Sequence, residues 1–244
     1  MKKHIYITLL VLAFFSCSKD CNESKGKIVQ QEVEVSFFSK IIVHSGVELI
    51  VKDDVMQRVV VETGEHKLDN VSLLVEEEIL HLEADGFCVT TINLDPVKVY
   101  VTSANITSIR NASEYTISSD GVLTYPEIKL LVENHESDYL TIGNFDLKVN
   151  NNSIQVTSNN LANVCITGQT NNLNLGYYSG IGRFEGENLV AQHVYIHHRG
   201  ENTLTINPQL TLTGDILSVG NVISYNHPET VDVEEHYEGR LIFE

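Results

Sequence analysis

Residues 147–176 read LKVNNNSIQVTSNNLANVCITGQTNNLNLG. The stretch holds nine asparagines, a single charge at Lys148 and no proline, and aliphatic residues fall at nearly every second place between the asparagine clusters. Alternation of this kind marks half-buried strands, because successive side chains point to opposite faces. Leu147, Val149, Ile154, Val156, Val164, Ile166, Leu173 and Leu175 are therefore expected to point inward. The clusters Asn150-Asn151-Asn152, Asn159-Asn160 and Asn171-Asn172 are expected at corners. Asparagine tolerates positive φ there. Its amide can also bond its counterpart on the next strand, where stacked charges would repel.

The same short apolar pieces recur on both sides of this stretch, at Ile106–Ile109, Ile128–Val132, Val194–Ile196 and Leu210–Leu212. Most are sixteen to twenty-two residues apart, a spacing typical of stacked repeats. Further toward the N-terminus, Val47, Leu49 and Val51, then Val71, Leu73 and Val75, then Leu80, Leu82 and Ala84 alternate with mostly polar residues. Turn signals at His44-Ser45-Gly46, Lys52-Asp53-Asp54 and Glu76-Glu77-Glu78 separate them. A short helix or turn is expected around residues 65–70, and no segment carries a sustained helical stripe. The expectation is an all-β chain: a right-handed single-stranded β-helix, or β-solenoid of pectin-lyase-like shape, with an N-terminal strand meander leading into it.

The first residues, MKKHIYITLLVLAFFSC, place Lys2 and Lys3 before an apolar run from Ile5 to Phe15. That run is too short to span a bilayer and fits a secretory signal. Ser16 and Cys17 then resemble a bacterial lipoprotein cleavage site, with Cys17 as the lipid anchor. The expected organisation is a signal peptide over residues 1–16, a flexible tether over 17–31 and one domain over 32–244. The expected location is the cell envelope, as an outer-membrane lipoprotein facing outward, with the membrane as a partner through the lipid.

Sixteen basic residues face 33 acidic ones, a net charge of −17, and removal of Lys2 and Lys3 with the signal makes the balance more negative still. Nucleic acid is excluded as a partner, since its binding needs a basic stripe. If Cys17 carries lipid, three cysteines remain, an odd number without CxxC spacing, and Cys88 and Cys165 read as small buried hydrophobes. His193 and His197 lie on one strand face but roughly 13 Å apart, too far to share a metal ion. No metal and no cofactor are expected. Asp138, Asp146, Glu185, Glu187 and Asp215 are scattered along the chain without a basic companion, so no catalytic residue is assigned. The outward tyrosines Tyr178 and Tyr195 fall on neighbouring pieces and are the candidates for a binding face.

Three stretches carry a resemblance to a known family. FFSKIIVHSGVELIVKDDVMQRVVVETG from Phe37, DNVSLLVEEEILHLEA from Asp69 and LTLTGDILSVGNVISYNHPETVDV from Leu210 are similar to the adhesin head GIN domain family of bacterial lipoproteins and secreted proteins. The likeness runs from about residue 36 to 240. It departs at ASEYTISSD and HHRGENT, where glycines are fewer than in the family's turns. The resemblance implies a right-handed β-helical shape, adhesion as the role, and no catalytic residues. The expected function is a non-enzymatic surface lipoprotein that binds a glycan or protein ligand, with a second copy of the chain as another candidate partner. The alternative is a carbohydrate-active β-helix enzyme of the lyase or hydrolase type.

Overall fold

The computed structural model describes residues 25–85, 96–135, 137 and 139–244. Cys17, the expected signal peptide, the first part of the expected tether, Cys88 and Asp138 lie outside the described residues. The strands are β1 Ile28–Val33, β2 Lys40–Val43, β3 Val47–Asp53, β4 Arg58–Gly64, β5 Val71–Glu76, β6 Ile79–Ala84, β7 Val97–Ser103, β8 Ser108–Asn111 and β9 Ile117–Leu123. They continue as β10 Glu127–Val132, β11 Phe145–Ser158, β12 Asn163–Tyr177, β13 Arg183–His198, β14 Leu204–Ile216, β15 Val222–Ser224, β16 Thr230–Glu235 and β17 Leu241–Phe243. β1 begins inside the stretch read as a tether. The turn expected near residue 65 is a 3-10 helix over Glu65–Asn70.

The all-β expectation is met, but the right-handed single-stranded β-helix and its leading meander are not. The strands join into one curled, seventeen-stranded sheet of mixed pairings. β4 lies antiparallel to both β1 and β7, and β5 antiparallel to β6. The other early strands skip their sequence neighbours: β2 runs parallel to β6 and β8, and β3 parallel to β7 and β9. Alternation tells which residues face inward. It carries no information on which strand lies beside which, and that is where the expectation failed.

The long strands β11 to β14 lie parallel, each beside the next. Phe145 sits beside Val164, nineteen residues on. The step is twenty at Asn163 beside Arg183 and twenty-one at Asn172 beside His193, after a bulge. β11, β12 and β13 each change phase partway along. In β11 the buried residues are Phe145, Leu147 and Val149, then Ile154, Val156 and Ser158. The switch falls on Asn150–Asn152, so the asparagine cluster is a corner inside an unbroken strand. The amide bonds expected there are present: Gln169 Nε2 donates to Asn150 Oδ1 and Asn171 Nδ2 to Asn152 Oδ1, both at 3.0 Å. Positive φ is not used at these asparagines. Among the described non-glycine residues it occurs only at Glu77 and Glu78, in the β5–β6 turn.

All eight residues expected inward, from Leu147 to Leu175, are buried, and they belong to one continuous apolar core running from Phe38 to Val222. Each such aliphatic side chain withdrawn from water contributes about 1.5–3 kcal/mol before entropy is charged against it. Cys165 departs from its expectation. Val164 and Ile166 take the inward places, so Cys165 faces outward and is only half-buried.

Candidate surface site

Nine strands form an all-parallel ribbon through the sheet, in the order β6, β2, β8, β10, β11, β12, β13, β14, β16. On its outer face the register lines up His81, Ile42, Arg110, Leu131, Thr157, Gly176, His197, Asp215 and Glu234 in a single column. A second column beside it holds Lys40, Ser108, Lys129, Gln155, Asn174, Tyr195, Thr213 and Asp232. At roughly 4.8 Å per strand, the face is about 38 Å long. Its charge is graded. Lys40, Lys129 and Arg110 lie toward one end, amides and aromatics in the middle, and Asp215, Asp232 and Glu234 at the other end.

The middle of this face brings together the two tyrosines singled out from sequence. Tyr178 is 51% exposed and Tyr195 45% exposed. Both line one shallow depression of about 260 Å³, with Gln155, Thr157, Asn174, Gly176 and His197. Gly176 is what lets Tyr178 lie flat. A methyl group at that position would sit 2.7 Å from the Tyr178 ring. The ring packs against His197 with centroids 4.9 Å apart and a 37° tilt. Tyr177, the preceding residue, points the other way. It is buried, and its hydroxyl donates to the Arg183 carbonyl at 2.9 Å. The aromatic edges, the Gln155 and Asn174 amides and the Thr157 hydroxyl form a surface that can stack on a flat apolar ring face and hydrogen-bond its rim.

The histidines on either side of His197 separate as the strand geometry requires. His193 faces outward and bonds Thr211 Oγ1 at 3.0 Å. His198 faces inward, fully buried, with Nε2 2.9 Å from the Asn202 carbonyl. Burial pushes its pKa down to about 4, so it is neutral at pH 7. The acidic candidates do not converge. Asp146 and Glu185 share an outward column with Cys165 between them, whereas Asp215 lies on the separate ribbon face. Partial burial, with Asp146 and Glu185 alongside, raises the Cys165 thiol pKa, which opposes formation of a reactive thiolate.

Sequence reasoning missed a cluster at the basic end of the ribbon. His44 Nε2 lies 3.1 Å from His81 Nδ1, and their rings stack at 5.4 Å. Burial lowers the pKa of His44, and Glu83 opposes the shift. Arg110 lies over the Tyr139 ring at 4.8 Å and bonds Glu133 at 2.6 Å. Burial alone would raise the Glu133 pKa. The backbone N–H of His135 and the Arg110 guanidinium outweigh it and hold the carboxyl low. Each element is too far from the others in sequence for spacing to reveal the cluster. It exists because β2 pairs with both β6 and β8.

Comparison with known proteins agrees with this fold. A crystal structure of a "putative adhesin" from Bacteroides fragilis NCTC 9343 is similar over 89% of this chain and 97% of that one, with a TM-score of 0.76 at 17% identity. A "putative lipid binding protein" from Parabacteroides distasonis ATCC 8503 covers 90% and 97% of the two chains, with a TM-score of 0.56 at 13% identity. A "putative adhesin" from Parabacteroides merdae ATCC 43184 gives 90%, 97% and 0.53 at 16% identity. At such identities the likeness is one of fold. No curated protein matches the sequence. The family described as "Putative auto-transporter adhesin, head GIN domain" matches residues 37–228. That match takes in most of the chain and fourteen of the seventeen strands, and the chain belongs to this head GIN domain family.

Proposed function

We propose that the protein is a non-catalytic adhesion module of the cell surface, and that it binds carbohydrate through the outer face of the parallel ribbon at Tyr178 and Tyr195. The observation that carries this reading is the placement of both exposed tyrosines in one shallow depression among amide and hydroxyl side chains. A sugar ring offers an apolar face for the aromatic groups and hydroxyls for Gln155, Asn174 and Thr157. The depression is open and unlike the deep, enclosed pockets that small-molecule sites favour. A long face of repeated rows suits a polymer, because weak contacts along it add through effective concentration. Family membership supports the adhesive role.

The proposal includes anchoring of the mature chain to the outer membrane through lipid on Cys17, outside the described residues. Metabolic labelling with a radioactive fatty acid tests that part: label is expected on the wild type and absent from Cys17→Ala. The binding part is tested on an array of glycans and matrix proteins. The expected result is retention of one or more glycans by wild type and their loss from Tyr178→Ala/Tyr195→Ala. Retention of matrix proteins alone would assign the face to protein ligands and overturn the carbohydrate reading.

A further inference from the structure

We propose that Asp215, Glu234 and His236 form a binding site for a first-row divalent cation of the zinc type at the acidic end of the ribbon face. This site goes beyond the adhesive reading and does not depend on it. Sequence spacing gave no expectation of a metal, because the three residues come from two strands that the fold places side by side. Asp215 of β14 lies directly beside Glu234 of β16, and both face outward. His236 follows two residues after Glu234, so strand alternation returns it to the same face. The ligand atoms of the three side chains all lie within 4.8 Å of one another. His236 Nε2 is 2.8 Å from Asp215 Oδ1 and 3.6 Å from Glu234 Oε2.

These two separations bracket what a small tetrahedral ion needs. Bonds of about 2.0–2.2 Å place neighbouring ligands roughly 3.4 Å apart. Asp215 and His236 would open slightly and the third ligand would close on them, with water in the fourth position. One imidazole nitrogen and two carboxylates form a donor set for zinc and its neighbours. Calcium, which takes about 6–8 oxygen ligands, is poorly served. Electrostatics favour occupation. Two carboxylates opposite each other on adjacent strands repel, and a dication between them removes that repulsion. His197 holds the preceding row of the same column and packs on Tyr178, so the site adjoins the aromatic depression.

The test is titration of the purified full-length protein with zinc chloride at pH 7.5, followed by calorimetry. One equivalent per chain is expected, together with a zinc-dependent rise in Tm. Asp215→Asn and His236→Gln should each weaken binding by at least about tenfold, since even groups one step removed from a metal cost that much. Both variants should also lose the Tm rise. His193→Gln should bind as wild type does, because its imidazole is on another column. The absence of saturable binding would overturn the proposal. So would wild-type affinity in both Asp215→Asn and His236→Gln, or an equal loss in His193→Gln.

Discussion

Gly168 provides a direct test of how closely the long strands approach. It lies in β12 beside Val149 of β11, with φ at +114°, and a methyl group there would sit 2.0 Å from the Val149 carbonyl oxygen. No real contact is that short, so Gly168→Ala must push the two strands apart by about 1 Å. Gly121 in β9 shares the backbone problem without the steric one. Its φ is +94°, and an added methyl group meets nothing within 4 Å. Left-handed backbone costs an alanine about 1–2 kcal/mol, which both substitutions incur. Gly168→Ala also weakens one or two ladder hydrogen bonds at about 0.5–1.5 kcal/mol each, for a total of about 3–4 kcal/mol. In a chain of this size each kcal/mol moves Tm by about 2–4 °C. Thermal melts by circular dichroism should therefore place Gly168→Ala about 10 °C below wild type and Gly121→Ala about 4 °C below. Equal shifts for the two variants would refute the close parallel register of β11 and β12.

The β5–β6 turn and the buried His198 offer two further tests. Glu77 and Glu78 carry φ values of +50° and +62° in a two-residue turn, where asparagine and glycine are the residues of choice. Glu77→Asn/Glu78→Gly should raise stability by about 1 kcal/mol in urea unfolding, and a loss would contradict the turn assignment. His198 has a folded pKa lowered to about 4, against 6.5 when unfolded. Between those values the unfolded chain binds a proton that the folded one does not. The stability His198 allows is therefore complete above pH 6.5 and is lost as pH falls toward 4, by up to about 3 kcal/mol. Urea midpoints for wild type and His198→Gln should diverge in slope over that window. Parallel pH profiles would show that His198 is not buried.

Much of the interior was legible from the sequence. Strand alternation identified Leu147, Val149, Ile154 and their companions as inward, and the asparagine clusters marked where β11 and β12 turn. The amide bonds between Asn152 and Asn171 follow from the same physics, since neutral amides stack where charges cannot. Topology was not legible. Nothing in the alternation of Val59, Val60 and Val61 states that β4 would run antiparallel between β1 and β7. The paired tyrosines were found one by one, but the register that sets Tyr195 beside Asn174 follows an extra residue in β13 that shifts the step from twenty to twenty-one. Asp215 and His236 were out of reach of any spacing rule, because a parallel pairing brings them together across 21 residues.

Carbohydrate binding at the ribbon face requires that Tyr178 and Tyr195 contact the ligand. The decisive measurement is the dissociation constant for the best glycan from the array, determined for wild type, Tyr178→Ala, Tyr195→Ala, the double variant and Tyr237→Ala. Tyr237 is 59% exposed and outside the depression, so it controls for loss of any surface tyrosine. A stacking aromatic at the centre of a contact is worth about 1–2 kcal/mol, or roughly tenfold in affinity. Weakening by about tenfold in each single variant and by about a hundredfold in the double, with Tyr237→Ala unchanged, is the predicted result. Wild-type affinity in the double variant would contradict it.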